Sequence, residues 1–87
     1  MKARDLVAWN VRRLRVLRGI SSELLAAAAD VDRAYVSRIE RAVANPTIDV
    51  LERIARVLRI DMAELFAVPG PQEGPPAPLP GGRRHSR

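Results

Sequence analysis

Arg33, Ala34, Ser37, Arg38 and Arg41 share one side of a helical wheel: at about 100° per residue they fill an arc of roughly 140°, and Val36, Ile39 and Glu40 fall outside it. One side of this segment can therefore pack while the other meets an anion. Guanidinium groups bond phosphate oxygens and also pair bidentately with the edge of guanine, so three arginines on one short helix suit a helix that enters the DNA major groove. The plainer alternative is a solvated basic face.

Other chemistries lack their residues. The single histidine, His85, lies near the C-terminus, cysteine is absent, and the carboxylates are scattered along helix surfaces rather than paired. Neither general acid/base nor nucleophilic catalysis has a constellation to work with. There is no glycine-rich phosphate loop after a strand and no metal-ligand spacing. The expectation is a protein that is not an enzyme and uses no cofactor and no metal.

The elements that must hold the basic face follow from apolar periodicity. Val7, Val11, Leu14 and the aliphatic stem of Arg18 give helix one a stripe that ends at Gly19, a candidate left-handed cap. Ser21 is placed to cap helix two, and leucine at position 24 leaves no reciprocal capping box. Ala26 to Ala29 favour a helix and a close approach to helix three, or serve as plain helix filler. Asp30 stands at the turn, and Asp32 is placed to cap helix three. Pro46 and Thr47 open helix four, with apolar positions at Ile48, Leu51, Ile54, Ala55 and Leu58. The run Asp61-Met62-Ala63-Glu64 looks like a capping box for a short fifth helix ending near Phe66.

These blocks resemble the Cro/repressor-type helix-turn-helix family from about Val7 to Phe66. The resemblance is carried by Val11-Arg12-Arg13-Leu14-Arg15, Gly19-Ile20-Ser21, Leu25-Ala26, Tyr35-Val36-Ser37-Arg38-Ile39-Glu40-Arg41, and Asn45-Pro46-Thr47 before Leu51. The Arg33-Ala34-Tyr35-Val36-Ser37 run is also similar to the small controller proteins of restriction-modification systems. The family likeness implies an all-α, compact five-helix lambda-repressor-like domain. It also implies a sequence-specific DNA-binding transcriptional regulator, with double-stranded DNA as partner and a homodimer as the acting form.

Carried over residue by residue, the likeness puts Arg33, Ala34, Ser37 and Arg38 at base edges, and Ser22, Tyr35, Arg41 and Asn45 on the sugar-phosphate backbone. Ser22 replaces the commoner glutamine and is shorter; Asp30 stands where many members have glycine. Arg15 and Glu40 match a pair that bridges helix one to helix three. The family's dimer surface would fall around Leu58, Ile60, Met62, Leu65 and Phe66. Trp9, Val16, Leu17 and Leu24 lie off the main stripe and are read first as extra core, second as a surface for a partner. Glu23 is either an ordinary first-turn acid or part of an acidic patch facing polymerase.

Length and charge bound these readings. Eighty-seven residues allow one domain, expected over 1–67 and followed by a Pro/Gly-rich basic tail, 68–87, that reads as disordered. Six of the seven prolines and four of the five glycines lie from Pro69 onward, which sets that boundary. The tail's terminal arginines solubilise the chain or touch phosphates. The whole chain carries +5, but residues 1–67 hold 12 Lys/Arg against 9 Asp/Glu, so the folded part is only mildly basic and position matters more than total. With no apolar run of membrane-spanning length and no signal-type start, the expectation is a cytoplasmic protein. A second class of function stays open: a protein-interaction module, such as the antitoxin subunit of a toxin-antitoxin pair.

Overall fold

The structure is a computed structural model that describes residues 1–70. Four α-helices, α1 (Ala3–Leu17), α2 (Ser22–Ala29), α3 (Arg33–Glu40) and α4 (Ile48–Leu58), are followed by one 3-10 turn, Met62–Phe66. They pack around a single core of Val7, Val11, Leu14, Leu25, Val36, Ile39, Leu51, Ile54, Leu58 and Leu65. Ala26 and Ala29 are buried while Ala27 and Ala28 are exposed, so half of the alanine run lets α2 approach its neighbours and half is filler. No helix among the described residues is long and apolar enough to cross a membrane. The tail expectation, from residue 71 on, lies outside the described residues.

All four helices end in the same way. After α1, Gly19 (φ 70) donates to the Val16 carbonyl at 2.9 Å and Ile20 to that of Arg15 at 3.2 Å. Asp30 (φ 60) with Val31, Ala42 (φ 62) with Val43, and Arg59 (φ 59) with Ile60 repeat the pair of bonds after α2, α3 and α4. This paired 6→1 and 5→2 pattern closes the orphan carbonyls of a helix end and asks for an apolar residue just after the left-handed one. Ile20, Val31 and Ile60 oblige by packing against the core, whereas Val43 stays exposed. Only the first site has the glycine that makes the left-handed conformation free of strain.

The helix starts are less uniform. Ser21 accepts from Leu24 N at 3.0 Å and Thr47 from Val50 N at 3.1 Å, so both act as side-chain caps. Asp32 makes no side-chain cap bond to α3, contrary to expectation, and contributes its charge at that terminus alone.

The fifth helix is also a correction. Asp61 makes no side-chain cap bond, and the segment closes as a 3-10 turn. Its physical limit is Pro69: continuing an α-helix would require residue 69 to donate to the Leu65 carbonyl, and proline has no N–H. Asn10, 1% exposed on α1, supplies the donor instead, at 3.0 Å to Leu65 O and 2.9 Å to Ala67 O. A buried side-chain amide thus pins the end of the domain onto α1.

Five apolar assignments also change. Ile48 is 71% exposed because it is the first residue of α4 and precedes the turn that faces the core. The stem of Arg18 is not part of the α1 stripe; the residue is exposed at the helix end and its Nε donates to Leu58 O at 2.7 Å. Val16, Leu17 and Leu24 are exposed rather than extra core, while Trp9 is half-buried.

Candidate nucleic-acid interface

α3 presents two faces set by its own sequence. Val36 and Ile39 are fully buried, and Arg33, Ala34, Ser37 and Arg38 are exposed side by side on the opposite face. Three of these, with Ser22 from the start of α2, line an open cavity of ≈ 400 Å³ between the two helices. The expected base-facing residues are therefore brought together, and Ser22 is brought to them.

The angle of this helix is fixed from behind. Arg15 of α1 holds Glu40 through two parallel bonds, Nε to Oε2 at 2.6 Å and Nη2 to Oε1 at 2.9 Å. Its remaining nitrogen, Nη1, donates to the Ile20 carbonyl at 3.1 Å, so one guanidinium ties α1, α3 and the α1–α2 link. The two side chains are 6% and 10% exposed, which makes the pair a buried, geometrically specific one rather than two solvated charges.

The arginines that face outward are held more loosely. Arg33 Nη1 lies 3.1 Å from Glu23 Oε2 of α2, and both side chains are about two-thirds exposed, at 66% and 70%. Arg38 places its guanidinium carbon 5.3 Å from the centre of the Tyr35 ring, within cation–π range. Tyr35 is half-buried, so its ring is a platform with limited freedom.

The remaining expected contacts are separated from this cluster. Arg41 is exposed and borders a different cavity, of ≈ 450 Å³, with Trp9 and Arg12 of α1. Asn45 is exposed and lines a third, of ≈ 210 Å³, with Ile48 and Phe66. Of the expected dimer surface, Leu58 and Leu65 have no exposed area, because both close the chain's own core; Ile60 and Met62 are half-buried and Phe66 is 42% exposed.

Several arginines outside α3 are engaged within the fold. Arg53 Nε donates to Ala29 O at 2.8 Å and Arg18 to Leu58 O, each meeting a carbonyl at a helix C-terminus where a cation is favoured. Arg13 donates to Asn10 Oδ1 at 3.3 Å. Nothing in residue type separates these from solvated arginines. Among the described residues no three His, Cys, Asp or Glu side chains gather as a metal ion would need.

Comparison with known proteins gives the family. A helix-turn-helix family profile matches residues 11–65. A hypothetical transcription factor of Neisseria meningitidis is 36% identical over 66 residues, which is 76% of this chain and 62% of that protein. The control protein C.BamHI of Bacillus amyloliquefaciens is 35% identical over 64 residues, 72% of this chain and 79% of its own length. Among solved structures, the restriction-modification controller protein C.AhdI from Aeromonas hydrophila superposes with a TM-score of 0.70 at 33% identity, covering 72% of this chain and 96% of that one.

Proposed function

The chain belongs to the helix-turn-helix family of the Cro/repressor type, and from this membership we propose that it is a transcriptional regulator that docks α3 in the major groove of double-stranded DNA, with no chemical step. Arg33, Ala34, Ser37 and Arg38 meet base edges, with Ala34 offering a methyl group, and Ser22, Tyr35, Arg41 and Asn45 meet sugar and phosphate. The observation that carries this reading is the exposed, contiguous row on α3 held at a fixed angle by the buried Arg15–Glu40 pair. The acting form is a homodimer on a pseudo-palindromic site, its two α3 helices about one DNA turn, roughly 34 Å, apart. Ile60, Met62 and Phe66 form the partner-facing side of that dimer, with exposed Ile48 beside Phe66.

The test is a binding series on a duplex selected from a random pool, its single-base variants and random duplex, at several salt concentrations. Arg33→Ala and Arg38→Ala each cost about 1–3 kcal/mol on the selected site and relax the preference at one base pair. Arg41→Ala instead weakens all duplexes by similar factors and makes the salt dependence shallower by about one unit. If both reader variants keep the full base preference, α3 is not the reader.

A second reading is favoured by one observation: Val16, Leu17 and Leu24 are exposed near the α1–α2 link. They suit a chain that serves as the antitoxin subunit and binds a toxin partner there, and Leu17→Glu with Leu24→Glu would abolish that partnership while leaving operator binding intact.

A further inference from the structure

The cluster on α3 contains one residue that the DNA-docking reading does not use. Glu23, in the first turn of α2, reaches across to the first residue of α3 and accepts from Arg33 Nη1 at 3.1 Å. Resting on the reading that Arg33 faces a base, we infer that Glu23 is a positioning residue for sequence discrimination: it directs Arg33 toward a base edge and away from phosphate.

The pair does not act as a fold staple. Both side chains are about two-thirds exposed, and an ion pair in that setting adds little to stability. What it changes is the pose of a long side chain. Arg33 opens α3 with no acidic residue in that helix's first turn, so its cation sits at the helix end that disfavours positive charge. Asp32 at the N-cap adds negative charge there, and Glu23, at the favourable end of its own helix, is the carboxylate that bonds Arg33 directly. With Nη1 engaged, the remaining N–H donors of the planar guanidinium stay free, enough for a two-point contact with the O6 and N7 acceptors of a guanine edge.

On a duplex the same carboxylate has an opposite, general effect. It is an acceptor-only group at a surface that meets phosphates, so it repels every DNA sequence alike. A residue that weakens binding to all DNA and also withholds one reader from phosphate raises the ratio of specific to random binding. The two effects separate experimentally, because repulsion acts without Arg33 and positioning acts only through it.

The experiment is a double-mutant cycle on the full chain, with Glu23→Ala, Glu23→Gln, Arg33→Ala and the two double variants. Affinities are measured for the selected duplex, for that duplex altered at the base pair Arg33 reads, and for random duplex. The expected result is that Glu23→Ala tightens random-duplex binding and lowers the selected-to-altered ratio by about two- to fivefold, the range that an exposed pair can carry. Glu23→Gln, which keeps an acceptor oxygen, recovers part of that ratio. In the Arg33→Ala background neither change at position 23 moves the ratio. A uniform gain on all three duplexes, with the ratio unchanged, overturns the inference and leaves Glu23 as a repelling charge. A ratio that still shifts without Arg33 also overturns it. If Arg33→Ala alone leaves the ratio intact, the base-reading assignment of Arg33 has failed, a result separable from the others.

Discussion

Replacing Glu40 by alanine tests whether the frame behind α3 is what its geometry implies. The substitution removes both acceptors of Arg15 Nε and Nη2 and leaves the guanidinium with one bond, to Ile20 O, in a site where the side chain is only 6% exposed. Breaking one partner of a buried pair costs about 3–5 kcal/mol, because a desolvated charge remains without its counter-charge. A domain of this size has about 5–10 kcal/mol in total, so the variant loses a third or more of its stability. At about 4–8 °C per kcal/mol the melting temperature falls by roughly 12–40 °C.

The companion variant, Arg15→Met with Glu40→Leu, removes the charge from both sides and is expected to be as stable as the original chain or more so. It should nevertheless bind the selected duplex less well, since two packed apolar side chains do not fix the angle of α3 as two parallel hydrogen bonds do. Urea unfolding followed by far-ultraviolet circular dichroism, with duplex titration of the folded variants, reads both quantities. A Glu40→Ala loss below about 1 kcal/mol would mean that the pair is solvated, and the reasoning from burial fails. A double variant with unchanged operator affinity would mean that something other than this pair orients the reading helix.

Three further outcomes follow from particular residues. Asn10→Ala leaves the buried Leu65 carbonyl without this donor, while the carbonyl of exposed Ala67 turns to water, and is expected to cost about 1–3 kcal/mol, measured by urea unfolding. Ala42→Gly relieves a left-handed alanine and is expected to raise stability by about 0.5–1 kcal/mol, the strain relief being partly offset by glycine's extra freedom in the unfolded chain. Phe66→Asp is expected to weaken self-association in sedimentation and operator binding together, while thermal unfolding of the monomer barely moves, because Phe66 is already 42% exposed.

The sequence was legible where one property repeats. The stripes Val7, Val11, Leu14 and Leu51, Ile54, Ala55, Leu58 predict two core-facing helices because burial recurs every 3.6 residues, and the same argument turns Arg33, Ser37 and Arg38 outward. It was legible in part at the helix ends. Gly19 and Asp30 carry a residue-type signal for the left-handed cap, whereas Ala42 and Arg59 carry none. The repeated signal there is the β-branched residue that follows each cap, at Ile20, Val31, Val43 and Ile60, and it is visible only when the four ends are aligned.

Asn10 was missed although it interrupts an apolar stripe, since a polar residue in a stripe declares burial without naming its partner. Leu58 and Leu65 show the converse problem. Their apolarity predicts cover, and periodicity alone does not decide between this chain's core and a second copy; the fold assigns both to the core.

The arginines show how a domain with a net charge of only +3 over residues 1–67 is suited to a polyanion. Arg15, Arg18 and Arg53 are committed to a glutamate or to helix-end carbonyls, and these bonds fasten α1, α2, α3 and α4 to one another, while Arg13 bonds Asn10 within α1. Arg15 has its charge balanced by Glu40, and the others keep theirs while fixing orientation. Arg33 and Arg38 are held instead by an exposed carboxylate and by a ring face, contacts weak enough to be exchanged for a base or a phosphate. Rigid cations thus build the frame, and adjustable cations occupy the face proposed to read DNA. This division explains why total charge is a poor guide to the interface: the same residue type performs both tasks, and only the partner each guanidinium meets separates them.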